Sequence, residues 1–546
     1  MFKRPATRIG QAFQPTVELA TIPASVGGVN ALDSLMRMPS TDCIYTYNLM
    51  PAERGQLLRK GYREWANGCG TGDVRTILNY ESQIQNAAQD RLWAITNEGI
   101  YNITTYGTTS PVKDITFTVT TGEAGYGVKC EFTNDASDHF MFYADALNGI
   151  YQYKEGTGWS VPTGWEYDPD GDGIYEAFPV EDVTFVMVHK QRIWVILEDS
   201  DDAWYLPVAS VSGQLTKFTF GAKMTHGGDL VGLWTWSVDG GAGVDDMLIA
   251  IGRGGDLLVY QGSDPSLGDF GSIGDWFVGA MPASRRVVTS YGSEMYVLSS
   301  FGITSVRDLL QGAASSDLRA SPSAKINKYL RTAIGDNLSD YEWSLNIHPA
   351  DGFMQVVTPD PGSNNYVQYN QNLSTRAWGM WEDVPIVSAE TWKGEYYMGS
   401  TGGVVYEYSG TVDGSMLDGT AGQPVEYRML TSFQSEIKHA TYKRVGFVRT
   451  LTIATTVESF DTEVVYDYDI NANLSLPGTA PGTGGGAVWD TDTWDNCIWD
   501  YTLAGNSYLK GAMGLGRTFA IGMRGSSNAR IELVGWDVSF TNGGFL

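Results

Sequence analysis

From about residue 72 to 410, apolar runs of strand length recur in pairs, each pair joined by a short Gly, Asn or Asp turn. The runs are RLWAITNEGIYNIT (91–104), HFMFYADALNGIYQY (139–153), RIWVILEDSDDAWYLP (192–207) and MLIAIGRGGDLLVYQG (247–262). They continue as MYVLSSFGITSV (295–306), FMQVVTPDPGSNNYVQYN (353–370) and EYYMGSTGGVVYEYSG (395–410). Tyr101, Tyr151, Tyr205 and Tyr260 hold equivalent places in the first four, and a period of roughly 50 residues with two or more strands per period is the pattern of propeller blades. One sheet per period cannot bury its apolar faces alone, whereas sheets packed face to face around an axis bury them all. Seven runs predict an all-β chain built on a β-propeller of about seven blades. Six is the alternative count, because ring closure borrows a strand from the far end of the chain and leaves the first and last runs least defined. A string of β-sandwich domains competes, but sandwich strands rarely keep so long a common period.

Outside the repeats the pattern changes. Within 315–337, Ile326, Tyr329 and Leu330 fall at helical spacing after Ser321-Pro322-Ser323, which predicts a helix near 321–334 inserted between blades five and six. Packing on the propeller rim and contact with another subunit are the two roles open to it. Residues 1–71 read as a polar, turn-rich N-terminal arm or docking segment with one short helical stretch near 52–60. Residues 411–424 (TVDGSMLDGTAGQP) read as a Gly-rich linker. Alternating runs from VEYRMLTSF to RIELVGWDVSFTN predict a separate antiparallel, sandwich-like or jelly-roll-like β domain over 425–546, with a mobile loop at 478–486.

Composition agrees with short strands and tight turns: 65 glycines, 12% aromatic and only 18% charged residues. The formal net charge is −27, so the chain as a whole does not bind a phosphate backbone by counterion release. Such a charge serves solubility, and it also suits a surface that DNA must pass without sticking. Cys43, Cys69, Cys130 and Cys497 are far apart, with no disulfide-framework or CxxC spacing, which predicts free buried thiols and folding in a reducing cytoplasm. The basic start MFKRPATRIGQAFQPTV lacks an apolar core and does not read as a signal peptide. No apolar run reaches the roughly 18 residues of a membrane span, so no membrane insertion is expected.

Candidate chemistry is sparse. His139, His189, His226, His348 and His439 show no metal-ligand spacing. There is no GxSxG, no P-loop and no sialidase-type S-x-D-x-G-x-x-W box. Gly252-Arg253-Gly254-Gly255 turns between strands and does not open a helix. No catalytic or cofactor-binding residue is assigned; paired carboxylates of a glycosidase would leave no local signature. One stretch has a physical case. Asp168, Asp170, Asp172, Ile174 and Glu176 occupy loop positions 1, 3, 5, 7 and 9 around a glycine at position 6, the front half of a calcium loop whose alternating oxygens converge on one hard cation. Position 12 is Pro179, where a bidentate glutamate would stand; Glu181 or Asp182 could replace it only in an irregular loop. A structural Ca²⁺ and an ordinary acidic turn are both open. WDTDTWDNCIWD (489–500) sets Trp489, Trp494 and Trp499 among aspartates, a pattern that covers a small β core or binds sugar.

Three stretches resemble the tail nozzle (tail tube or tail hub) family of short-tailed bacteriophages, the podoviruses. Near the start, GGVNALDSLMRMP…YTYNLMPAERGQLLRKGYREWANG is similar to that family's opening. In the middle, AWYLPVASVSGQ, HGGDLVGLWTWSVDGGAGVDDMLIAIGRGGDLLVYQGSDPS and GITSVRDLL resemble its blades. At the end, ARIELVGWDVSFTNGG resembles its closing strand and Gly-rich tail. The resemblance implies a non-enzymatic virion protein, assembled in the host cytoplasm. It would form a homohexameric ring below the portal and its adaptor, hold tail fibres or spikes outside and let phage DNA pass without specific binding. Two other classes compete: a propeller module that binds host-surface glycan, and a propeller enzyme that degrades polysaccharide. Phage receptor-binding proteins are usually trimers on a fibrous shaft, and no shaft repeat is present here.

Overall fold

The computed structural model describes residues 17–82, 88–239, 244–267, 269–312, 321–359, 367–434, 441–454, 459–470 and 504–542. The chain is all-β and divides into two compact units, one of residues 59–425 and one that joins 1–58 to 426–546.

The unit of residues 59–425 is a seven-bladed propeller. Blade one runs Thr76–Tyr80, Arg91–Thr96, Gly99–Asn102 and Val112–Thr116. Blade two runs Gly127–Thr133, His139–Asp145, Gly149–Lys154 and Gly158–Ser160. Blade three is Val183–His189, Arg192–Leu197, Asp202–Tyr205 and Gly213–Thr219, with a small hairpin, Trp165–Tyr167 and Glu176–Ala177, on its outer strand. Blade four is Leu230–Asp239, Val244–Gly252, Asp256–Gln261 and Gly271–Phe277. Blade five has Val288–Tyr291, Glu294–Ser299 and Gly302–Ser305. Blade six is Ser344–His348, Phe353–Val357, Val367–Asn372 and Trp378–Glu382. Blade seven is Ser388–Trp392, Glu395–Gly399 and Val405–Glu407, completed by Tyr62–Ala66 from ahead of blade one. Each apolar run picked out by the sequence is the hairpin of the second and third strands of one blade.

The reason those hairpins are apolar throughout is that both their faces are covered. In blade three, Ile193 and Val195 pack with Phe140, Phe142 and Ile150 of blade two. The alternate residues Trp194 and Ile196 pack with Leu248, Ala250 and Tyr260 of blade four. Blade one repeats the arrangement, with Trp93 and Ile95 against Met141 and Tyr143, and Leu92 and Ala94 against Trp392 and Tyr397. Period-2 alternation thus sorts side chains between two neighbours, not between core and solvent. At the turn of blade four, Gly255 has φ +101° and an added Cβ would lie 2.4 Å from the Gly279 carbonyl oxygen, so only glycine fits there.

Ring closure is secured by an ion pair. Tyr62–Ala66 pairs antiparallel with Val405–Glu407 and parallel with Val412–Ser415. Just before it, Arg59 donates from Nη1 and Nη2 to the two carboxylate oxygens of Asp413, at 2.7 and 2.6 Å, with the Arg59 side chain 1% exposed.

Between blades five and six, a 3-10 turn, Ala324–Ile326, leads into the helix Asn327–Asp336, as the spacing predicts. Ile326, Leu330 and Ile334 are buried, so that face packs against its own unit.

Among the described residues, the other unit holds two mainly antiparallel sheets. In one, Lys443–Ala454 lies between Ala504–Gly511 and Ile531–Asn542, and the latter also pairs with Val17–Pro23. In the other, Phe519–Ser527 pairs with Ser459–Tyr466. Asp42–Tyr47 pairs with the end of Gln423–Thr431.

Several expected boundaries fall elsewhere. The described part of the N-terminal segment is not an arm: residues 17–58 contribute five strands to the terminal unit, and 59–71 belong to the propeller. The helix expected near 52–60 is absent; Gln56–Leu58 is a strand paired with Leu49–Pro51 and with Glu532–Leu533. The 411–424 stretch is not a free linker, because Val412–Ser415 adds to the closing strand. The loop at 478–486 and the tryptophan cluster at 489–500 lie outside the described residues.

Candidate functional site

Asp168, Asp170 and Asp172 do converge. They sit in the turn of the small hairpin outside blade three, and one oxygen from each lies within 4.8 Å of the others. Gly171 and Gly173, at φ +80° and +86°, give the tight turn. The carboxylates are also held by the loop itself. Asp168 Oδ1 accepts from Gly171 N at 2.7 Å and Asp172 N at 3.2 Å, and its Oδ2 accepts from Gly173 N at 2.9 Å. Asp172 Oδ1 accepts from Ile174 N at 2.8 Å. The Gly173 hydrogen bond, with the other loop amides, holds the Asp168 carboxyl below its ordinary pKa. Ile174 is an exposed side chain, and Glu176 is exposed and starts a strand opposite Tyr167, outside the three-carboxylate group. Three carboxylates could supply about half of the six to eight oxygens that Ca²⁺ takes, and backbone carbonyls and water would have to furnish the others.

A second site was not visible in the sequence. The first strands of all seven blades surround one axial cavity of about 400 Å³. Its polar lining includes Lys129, Asn346 and Glu390 from three blades and the consecutive Arg285 and Arg286 ahead of blade five. On one wall, Lys129 Nζ donates to Asn79, Asn79 Nδ2 donates to the Thr391 carbonyl at 2.5 Å, and Thr391 N donates to Glu390 Oε1 at 3.2 Å. This network ties blades one, two and seven. Burial pushes the Glu390 carboxyl up, against the pull of Lys129.

Ahead of blade five the lining is cationic. Arg285 donates from Nη1 to the carbonyls of Leu230 and Val231, both at 2.8 Å. Burial, then the like charge of Arg253, pushes Arg285 down to about 10. Arg286 donates from Nη1 to the Arg75 carbonyl at 2.6 Å, and burial pushes it down too. The Arg75 and Arg286 guanidiniums both lie against the Tyr126 ring, at 5.0 and 5.3 Å.

Among the described residues, three histidines lie beside a carboxylate and a threonine hydroxyl: His139, with Glu131 Oε2 3.1 Å from Nε2 and Thr133 Oγ1 3.2 Å from Nδ1, His348, with Asp351 Oδ2 3.3 Å from Nε2 and Thr391 Oγ1 3.4 Å from Nδ1, and His226. Asp256 Oδ1 lies 2.6 Å from His226 Nδ1, and Thr225 Oγ1 lies 3.0 Å from the same nitrogen. At His226 the carboxylate and the hydroxyl share one ring nitrogen, so Thr225 is not placed as the nucleophile of a Ser–His–Asp-type relay.

No protein-family model matches the chain, and no curated protein sequence matches it. Among solved structures it is similar to BBS1N, crystallised in complex with ARL6DN, at 12% identity and a TM-score of 0.27, over 44% of this chain and 63% of that one. It is also similar to Raptor from Chaetomium thermophilum, at 12% identity and a TM-score of 0.36, over 64% of this chain and 29% of that one. The chain therefore spans less than two thirds of either neighbour. The propeller assignment rests on the seven sheets and the cavity they enclose. Among the described residues, no helix is long and apolar enough to cross a membrane.

Proposed function

We propose that the chain is a structural virion protein, the tail nozzle of a short-tailed phage. Six copies form a ring that continues the DNA-ejection conduit below the portal and adaptor, in the tail of the virion, and carries fibres or spikes on its outside. One observation supports this above the rest. The three family-like stretches follow one order in the chain, and the last shares a sheet with part of the first: Leu49–Pro51 and Gln56–Leu58 lie in the sheet of Ile531–Asn542, and the first stretch continues from Arg59 into the propeller. The propeller, which carries the middle stretches, is inserted in sequence between residues 58 and 426.

The role needs no catalysis and no cofactor. It does need a wall along which DNA slides. Duplex DNA carries one negative charge per about 1.7 Å of axis, so a basic wall would hold it through many phosphate contacts. An acidic wall repels it over about a Debye length, roughly 8 Å in physiological salt. With a net charge of −27 per chain, a ring lumen of acidic and neutral polar side chains is the arrangement we propose. In this reading the aspartate loop outside blade three is a structural calcium site.

The native mass of the purified assembly tests the ring. Six times the 59.6 kDa chain mass is expected. A three-fold mass would favour a glycan-binding spike, and a monomer or dimer a propeller enzyme; either would overturn the nozzle reading.

A further inference from the structure

We propose that Lys129 and Asn79 join in an isopeptide bond that staples the inner strands of blades one and two, with Glu390 of blade seven carrying the protons. The staple goes beyond the nozzle reading and does not depend on it.

Lysines elsewhere in this chain reach carboxylates: Lys60 pairs with Asp351, Lys154 with Asp138, Lys217 with Asp202 and Lys393 with Asp90. Lys129 meets an amide instead. Its Nζ donates to Asn79 Oδ1, and to the Asn79 main-chain carbonyl at 3.2 Å. The side-chain oxygen it touches is bonded to Cγ, the carbon that an amine attacks. The other end of the amide is also held. Asn79 Nδ2 donates to the Thr391 carbonyl at 2.5 Å and lies 3.5 Å from Glu390 Oε1, which accepts from Thr391 N at 3.2 Å. An ammonium has no acceptor and a carbonyl no donor, so the amide cannot be turned round. Its oxygen therefore faces the lysine and its nitrogen the carboxyl.

Two features favour reaction between these groups. Lys129 and Asn79 are 50 residues apart in sequence, and the fold holds them in contact, which makes an otherwise bimolecular step effectively unimolecular. Glu390 is suited to carry protons in either direction. Burial first, and the Glu131 charge last, raise its carboxyl, against Lys129 and the Thr391 amide. Lys129 and Glu390 both line the axial cavity, with Asn79 between them.

The chemistry balances within the three residues. The Lys129 ammonium first passes one proton to the Glu390 carboxylate, leaving the neutral amine that is the nucleophile. Its lone pair adds to Asn79 Cγ and forms the Nζ–Cγ bond, as the carbonyl pair moves onto Oδ1. When that pair returns, the Cγ–Nδ2 bond breaks. Nδ2 leaves with the bonding electrons and the proton of the Glu390 carboxyl, and Glu390 takes a second proton from Nζ. The products are a secondary amide and one ammonia, and no oxidant, reductant or cofactor is consumed. Blades one and two are separate sheets, so the new bond ties them across the channel wall.

The test is the mass of the intact full-length protein, measured denatured, after purification and again after prolonged incubation at neutral pH. We expect a mass below that of the sequence by one ammonia. Trypsin should then release a branched peptide that joins residues 76–91 to residues 114–154, uncut after Lys129. Lys129→Arg keeps the charge without the amine, and should show no deficit and no branched peptide. Glu390→Gln keeps the side-chain shape without the proton carrier, and should slow crosslinking roughly tenfold or more. Wild-type protein with its full mass and no branched peptide at every time overturns the proposal, whether or not the variants fold. So does a deficit that persists in Lys129→Arg, or a crosslink that forms as fast in Glu390→Gln.

Discussion

Replacing Asp413 by Asn removes the negative charge that Arg59 faces at the point where the propeller ring closes. The Arg59 side chain is 1% exposed and Asp413 17% exposed, and two bonds of 2.7 and 2.6 Å join them. Breaking such a pair leaves a guanidinium buried without its counter-charge, which costs about 3–5 kcal/mol. The partial exposure of Asp413 puts the expected loss at the low end, about 3 kcal/mol. For a cooperative unit of this length, an unfolding entropy of about 2 cal/mol/K per residue converts that loss to a fall in Tm of about 4 °C. Calorimetry of the purified protein reads it, and a double variant isolates its origin. Arg59→Met with Asp413→Leu removes both charges and keeps the packing, and should lie within about 1 kcal/mol of wild type. The reasoning fails if Asp413→Asn shifts Tm by less than about 1 °C, or if the double variant is as unstable as the single one.

Two further outcomes follow from local geometry. Calorimetric titration with Ca²⁺ should show binding in roughly the millimolar range expected of a ligand-poor site, lost in Asp170→Ala; no heat at millimolar Ca²⁺ returns the loop to an ordinary acidic turn. Asp351 is held at about 2, below its ordinary 3.8, by the hydrogen bond from His348 and, against burial, by Lys60 at 2.7 Å. A depressed carboxylate stabilises the fold above its unfolded pKa and loses that contribution as pH falls through the folded one. Wild type should therefore exceed Asp351→Asn in denaturation midpoint at pH about 6, with the gap narrowing between pH about 4 and about 2.

The blades were legible where burial is two-sided. Runs such as Ile193–Leu197 and Leu248–Ile251 are apolar at every position because neighbouring blades cover both faces. First and last strands escaped notice for the converse reason. Gly127–Thr133 faces the polar channel on one side, and Val112–Thr116 is largely exposed, so neither reads as a core strand. The closing strand Tyr62–Ala66 lay hidden in a stretch that reads as an arm, because its partner, Val405–Glu407, is more than three hundred residues away in sequence. The stretch 52–60, with its Leu57-Leu58 and flanking charges, has helical composition; pairing to Leu49–Pro51 and Glu532–Leu533 overrides that local preference. The aspartate loop was legible since all its groups lie within a few residues. Arg75, Tyr126 and Arg286 were not, because three separate blades bring them together.

The central claim is that this chain forms the conduit wall in a virion tail. A reconstruction of the intact phage particle tests it most directly. The account predicts six copies of the chain around the tail axis below the adaptor, with a lumen of acidic and neutral polar side chains and fibres or spikes attached outside. The chain found on the capsid or at a fibre tip, or a lumen lined by Lys and Arg, would contradict it.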